Sequence, residues 1–200
     1  METLKVLSID IGIINLGYVF AEIDQGKIKV LECNRVNITI MRHQTVAWCD
    51  CRLHHDYCIP DYLDHFIQEQ SHLFEQANLI LIERQPPVGI TNVQDLIFSR
   101  YRNKVKLISP NTVHRHFKMT RNNYDLRKIE SETITRDYLE HFVNFTDNVR
   151  RHDISDAMLM IIYHSQNLVS QNVFSKSLQK SKKDFEEFRF NDFEKFRLTV

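Results

Sequence analysis

Residues 8–18 read SIDIGIINLGY, and the parsing of that stretch decides the fold. It begins inside LKVLSID (4–10), where aliphatic and β-branched residues predict a strand that Asp10 closes. Gly12 lets the backbone turn tightly after the strand and leaves room beside Asp10 for a phosphate or a metal. Asn15, Leu16 and Gly17 punctuate the return, and LGYVFAEI (16–23) reads as a second strand. KIKVLECNRV (27–36) reads as a third, joined through Asp24-Gln25-Gly26, a connection of hairpin length.

Further along, Pro60-Asp61 opens a predicted amphipathic helix that ends at Asn78. Leu63, Phe66, Ile67, Gln70, Leu73 and Phe74 share one of its faces. LILIE (79–83) is a continuous apolar run, which predicts a central strand buried on both faces. A helix is expected over 92–102, then a short strand VKLIS (105–109) that Pro110 closes. Another helix is expected over about 125–143, burying Ile129, Thr133, Tyr138 and Phe142. A last one covers about 153–170, burying Ala157, Leu159, Met160, Ile161 and Leu168. Three strands, helix, strand, helix, strand, helix, helix is the order of a mixed sheet flanked by helices, in the α/β class.

The chain has 200 residues, enough for one domain with its own core. At 42% hydrophobic and 26% charged it fits neither a disordered chain nor a membrane protein. No apolar run approaches the roughly 20 residues that span a bilayer, and METLKVLSID carries no secretory pattern. The domain is expected over 1–174. A Lys- and Phe-rich helical tail is expected over 175–200, with Phe185, Phe188, Phe193 and Phe196 at helical spacing for packing on the domain or on a second subunit.

Cysteines at 33, 49, 51 and 58 form no disulfide framework, which points to a reducing, intracellular compartment. Cys49, Cys51, His54, His55 and Cys58 could supply tetrahedral zinc ligands. Their spacing matches no standard finger, however, and no second cysteine pair supports one, so no metal is assigned there. The formal net charge is zero, yet Arg100 to Lys128 holds nine Lys and Arg against Asp125 alone. Such a segment suits a basic face opposite an acidic pocket, and equally a solvated surface.

Four acids have telling placements. Asp10 ends the first strand and Glu83 ends the buried run. Asp153 and Asp156, in HDISDA, stand three apart on one face of a helix. A carboxylate at the end of a buried strand is costly unless it is paired or binds a cation, and ligands gather at strand ends in α/β sheets. Taken singly, each has an ordinary explanation: a turn former, or an N-cap for Asp153. If the first and fourth strands are neighbours, Asp10 and Glu83 come together, and a helix with two more acids would close a cluster whose repulsion divalent ions resolve. Hard oxygen ligands favour magnesium or manganese.

In these segments the chain resembles the RuvC-like Holliday junction resolvases, in particular the poxvirus and iridovirus type, with the RNase H-like fold. SIDIGIINLGY (8–18) resembles the first-strand motif, LIERQPP (81–87) the second, and RRHDISDAM (150–158) the last. ISPNTVHRHF and YDLRK, within 108–128, resemble the viral branch, and the match runs in order from about residue 4 to 170. The resemblance implies a four-carboxylate centre of Asp10, Glu83, Asp153 and Asp156 that binds two Mg2+ ions, with Mn2+ as a substitute. It also implies a homodimer that nicks two opposed strands of a four-way junction, aided by a basic residue at the position of Lys128, next to Arg127. Viral replication sites in the host cytoplasm are the implied setting. Arg100, Arg102, Lys104, Lys118, Arg121, Arg127 and Lys128 are expected on the DNA backbone. Gln85 is expected either on DNA or orienting Glu83, and His114 and His116 near phosphate or simply at the surface.

Three rival readings draw on the same residues. A sugar-kinase or actin-like ATPase also opens with Asp-x-Gly, but it needs further Gly-rich phosphate loops. This chain has four glycines, so no nucleotide cofactor is expected. An RNase H-type hybrid ribonuclease fits the acid order alone; the paired Asp and the 108–128 segment favour junction DNA. A non-catalytic branched-DNA binder gains nothing from four carboxylates facing phosphate.

Overall fold

The computed structural model describes residues 3–39, 58–120 and 123–170. The Cys/His-rich stretch up to residue 57, Arg121 and the predicted tail lie outside the described residues. Strands β1 (Leu4–Asp10), β2 (Leu16–Asp24), β3 (Lys27–Val36), β4 (Leu79–Glu83) and β5 (Val105–Ile108) form one sheet in the order β3-β2-β1-β4-β5. The first three make an antiparallel meander, and β4 and β5 add in parallel to β1. The mixed sheet expected from the sequence is therefore present, with β1 and β4 adjacent.

Side-chain alternation gives each face its own core. Leu7, Ile9, Tyr18, Phe20, Ile80 and Ile82 point to one side. There they pack on α1 (Ile59–Glu69), α2 (Ser71–Gln76) and α3 (Thr91–Arg100) through Leu63, Phe66, Leu73, Phe74, Val93 and Ile97. Val6, Val19, Ala21 and Leu81 point to the other. They meet α4 (Pro110–His116), α5 (Tyr124–Leu139), α6 (Val143–Thr146) and a final helix, α7, over 151–170. Ile154 and every residue from Ala157 to Ile162 on α7 are buried, as expected of a helix held between a sheet and another helix.

Several elements differ from their sequence expectation. The helix expected to reach Asn78 breaks at Gln70, whose φ of −103° and ψ of 23° leave the helical region. The break lets α2 tuck its end under Lys104, whose ammonium donates to the carbonyls of Phe74 (2.5 Å) and Ala77 (3.1 Å). Those are the carbonyls a helix C-terminus leaves open. Pro110 opens α4 at its first turn rather than only closing a strand, because a helix N-terminus does not need the missing N–H. The helix expected to 143 stops at Leu139. It buries Ser131, Thr135 and Leu139, while Ile129 is 61% exposed. Small hydroxyl residues occupy that seam because α5 and α7 meet closely there, with the Thr135 hydroxyl 2.9 Å from the Ser155 hydroxyl. Among the described residues no helix is long and apolar enough to cross a membrane.

Two glycines set the sheet's end that matters. The place a Cβ would take at Gly12 is filled by the Asn15 carbonyl oxygen, 2.2 Å away, so this glycine tightens the turn itself. Gly17 faces Asp10 across the β1–β2 ladder. A Cβ there would lie 2.1 Å from the carbonyl oxygen of Asp153 and 2.4 Å from its carbon. The first turn of α7 therefore rests directly on β2 backbone, and no side chain fits between them. Gly17→Ala is expected to lower unfolding free energy by about 1–3 kcal/mol, the cost of overpacking. Urea denaturation measures it, and an unchanged midpoint would show that α7 shifts without cost.

Candidate active site

The topology delivers the four acids to one cavity of about 1160 Å³. Ile9 pairs with Ile82 across the parallel β1–β4 ladder, so the residues that follow, Asp10 and Glu83, end neighbouring strands side by side. Alternation turns both toward the α7 side, since Leu7, Ile9, Ile80 and Ile82 face the other core. Asp153 and Asp156 come from the first turns of α7 and line the same cavity, as do Arg115, Tyr124, Arg127, Lys128, Arg150 and His114.

Protein surrounds these carboxyls closely enough to perturb them. Burial pushes Asp10 well above the usual carboxylate range, and the charge of Glu83, a hydrogen bond shared with Glu83, and then Asp156 and Asp153 push it the same way. Asp156 is pushed up to about 7, by burial first and by Glu83 and Asp153 after it, with the Ser131 hydroxyl and the Arg127 cation opposing. Like charges at close range make one another harder to ionise. Burial also lowers His114, with the Arg127 cation adding to it.

Neighbouring side chains orient or answer some of the acids. Asp10 shares its hydrogen bond with Glu83, and the Gln85 amide donates to Glu83 Oε2 at 3.2 Å. Of the two roles expected for Gln85, the contact present is the one that orients Glu83. Its backbone N–H is tied to Gln94 at 2.8 Å. Arg150 grips Asp153, with Nε 2.9 Å from Oδ2 and Nη2 3.3 Å from Oδ1. His152 Nε2 is buried, lies 3.2 Å from Asp153 Oδ1 and is not aligned for a hydrogen bond. Among the described residues no three His, Cys, Asp or Glu side chains are grouped to hold a metal ion as they stand. The acids share a cavity without forming a closed ligand cage.

Arg35 braces the two loops that adjoin Asp10 and α7. Its guanidinium donates to Asn15 Oδ1 at 2.6 Å and to Asn148 Oδ1 at 3.0 Å. Asn148 Oδ1 also accepts the backbone N–H of Arg150 at 3.0 Å. One β3 side chain thus connects the turn after Asp10 to the approach to α7.

The expected basic contacts divide. Lys128 and Arg127 line the cavity, with the Lys128 ammonium 4.0 Å from the Tyr124 ring centre. The structure does not bring Arg100, Arg102 and Lys104 to the cavity. Arg100 is ion-paired to Asp64 of α1, Arg102 lies over the Phe98 ring at 5.6 Å, and Lys104 caps α2. Lys118 follows α4 with a φ of 55° and does not line the cavity. Sequence reasoning did not single out Arg150, His152, Tyr124, Arg115 or Asn15, all of which line it. The only signal for Arg150 is its position three residues before Asp153. The neighbouring Arg151 was indistinguishable from it in sequence, yet donates to the Thr146 carbonyl and lies over Phe145.

The sequence model of the family described as Poxvirus A22 protein matches residues 5–167. Among solved structures, the fowlpox virus resolvase in complex with its substrate Holliday junction DNA is similar at 15% identity and a TM-score of 0.59. The match covers 83% of this chain and 99% of that one. A second structure of the fowlpox virus Holliday junction resolvase is similar at 13% identity with the same TM-score, covering 82% of this chain and 99% of that one. A comparison with curated protein sequences found no match. The fold is the RuvC-like form of the RNase H-like fold, as expected from the three motifs.

Repulsion among the carboxyls yields a stability prediction. A carboxyl whose folded-state pKa is raised binds its proton more tightly in the folded chain, so stability is greatest at acid pH and is lost as pH rises through that value. In EDTA at pH 8, Asp156→Asn is expected to raise unfolding free energy by about 1–3 kcal/mol. The gain should shrink at pH 5, where the wild-type carboxyl is itself protonated. Thermal unfolding at the two pH values tests this, and an equal effect at both would remove the electrostatic explanation.

Proposed function

The chain belongs to the poxvirus A22 protein family, and on that footing we propose that it is a metal-dependent endonuclease that resolves four-way DNA junctions. The observation that carries the reading is the convergence of Asp10, Glu83, Asp153 and Asp156 on one cavity whose wall holds Arg115, Arg127, Lys128 and Arg150. Acids and cations lining one cavity suit a phosphodiester held by its charge and cut at its centre. A binding module would have no use for the acids.

The donor set fits a divalent cation. All four side chains offer hard oxygen ligands, and the repulsion that raises Asp10 and Asp156 is the strain a bound cation relieves. Asp10, Glu83, Asp153 and Asp156 would hold it, with two magnesium ions as the proposed complement and manganese as a substitute. Such ions activate water and stabilise the leaving oxygen of a phosphodiester. The chain's own groups do the rest. Gln85 fixes the orientation of Glu83, Arg35 ties the turn after Asp10 to the approach to α7, and Lys128 and Arg127 neutralise backbone phosphate beside the cut.

A pair of such sites in a homodimer would nick two opposed strands symmetrically and leave ligatable ends. The fowlpox virus resolvase structure with junction DNA supports the same substrate class here. The membership also supports action at viral replication sites in the host cytoplasm, in recombination or in processing of replicated DNA. Lys118 and Arg121 are proposed as further backbone contacts. Arg100, Arg102 and Lys104 would reach DNA only if they gave up their present contacts with Asp64, Phe98 and the end of α2.

The test is cleavage of a labelled synthetic four-way junction beside a matched linear duplex, in magnesium or in EDTA, with wild type and Asp10→Asn. Paired, ligatable nicks in the junction alone are expected, lost by at least about 100-fold in the variant and in EDTA while binding persists. Tight binding without cleavage in magnesium or manganese would replace this reading with a binding module. Faster cutting of RNA in a hybrid would replace the substrate.

A further inference from the structure

Arg150 is the residue just before α7, and it holds Asp153 by two points, at 2.9 and 3.3 Å. The two partners sit differently. The Asp153 side chain is 8% exposed, while Arg150 is 40% exposed at the cavity wall. Arg150 is therefore the more exposed partner in the cavity that both residues line.

A planar guanidinium fork matches the geometry of a carboxylate and of a phosphate equally well. Arg150 also has a place to go. Tyr124 lines the same cavity with half its surface open, and its ring carries Lys128 at 4.0 Å and Arg127 at 5.7 Å. Arg150, Lys128 and Arg127 line one cavity, the last two against that ring. On the other side of the exchange, Asp153 cannot give the same lone pairs to a guanidinium and to a divalent cation.

We propose that Arg150 exchanges partners when substrate binds, leaving Asp153 for a DNA phosphate and thereby making Asp153 available to a divalent cation. The inference rests on the nuclease reading above and adds a residue and an order of events to it. DNA completes the metal site, so the free protein holds metal weakly and does not arm itself away from its substrate. Two sites that bind cooperatively must strengthen each other reciprocally. Metal should therefore tighten DNA binding by the same factor as DNA tightens metal binding.

The experiment measures Mn2+ binding by the electron paramagnetic resonance of the free ion. It compares the full chain alone with the chain on a four-way junction held on ice, with junction alone as the control. Wild type is expected to bind Mn2+ about 10-fold more tightly with the junction than without it. Arg150→Gln should bind Mn2+ about 10-fold more tightly than wild type without DNA, and should lose most of the junction's effect. Its DNA affinity should show a salt dependence shallower by about one phosphate contact.

Arg150→Lys keeps the charge but not the fork, and is expected to follow Arg150→Gln in the DNA-free measurement. If it matches wild type, simple charge explains the effect and the exchange is overturned. Equal Mn2+ affinities for wild type and Arg150→Gln, with and without junction, overturn the exchange and leave the nuclease reading standing. Absence of Mn2+ binding in every variant, with and without DNA, removes the metal centre and this inference together. Circular dichroism of each variant, expected to match wild type, shows that the helices are intact.

Discussion

Four carboxylates brought to one end of a sheet repel one another, and most of the surrounding structure manages that repulsion. Asp10 and Glu83 share a hydrogen bond, Asp153 is gripped by Arg150, and Asp156 has the Ser131 hydroxyl and Arg127 set against its neighbours. Such an arrangement costs the free protein stability, because buried carboxyls that cannot all ionise hold the fold under electrostatic strain. Natural proteins keep strain of this kind where function needs it. Here the sheet, the helix and the brace at Arg35 together supply enough packing to hold the acids in place.

What could be read from the sequence was what alternation and burial write directly. The meander of β1 to β3 and the buried run LILIE were legible because strand periodicity and turn residues are local signals. The adjacency of β1 and β4, on which the Asp10–Glu83 pairing depends, was only a condition of the sequence reading, and the parallel register meets it. The gathering of Asp153 and Asp156 in the same cavity followed from their spacing of three and from the motif resemblance. Pattern and resemblance reached those residues by separate routes.

The rest was illegible for identifiable reasons. The buried side of α5 is made of Ser131 and Thr135, and small hydroxyl residues give no hydrophobic period. Arg100 and Lys104 sit in a segment that reads as uniformly basic, but one is paired to Asp64 and the other caps α2. Charge counted along the chain cannot separate a cation committed to the fold from one facing the cavity. Gly17 was read as turn punctuation, whereas its missing side chain is what admits α7 to the sheet. A close approach between residues 17 and 153 has no local signature at either position.

The placement of the acids also bears on when the centre comes into being. Asp10 belongs to the first strand and Asp153 and Asp156 to the last described helix, with Arg35 bridging to Asn148 across 113 positions of chain. Contacts of such separation form late, since the loop they close must be ordered first. A ribosome-bound chain that has displayed its whole sheet still lacks half of its carboxylates, and Gly17 has nothing yet to receive. The centre therefore cannot assemble before Asp153 and Asp156 have been added to the chain, and until then Asp10 and Glu83 stand without their partners.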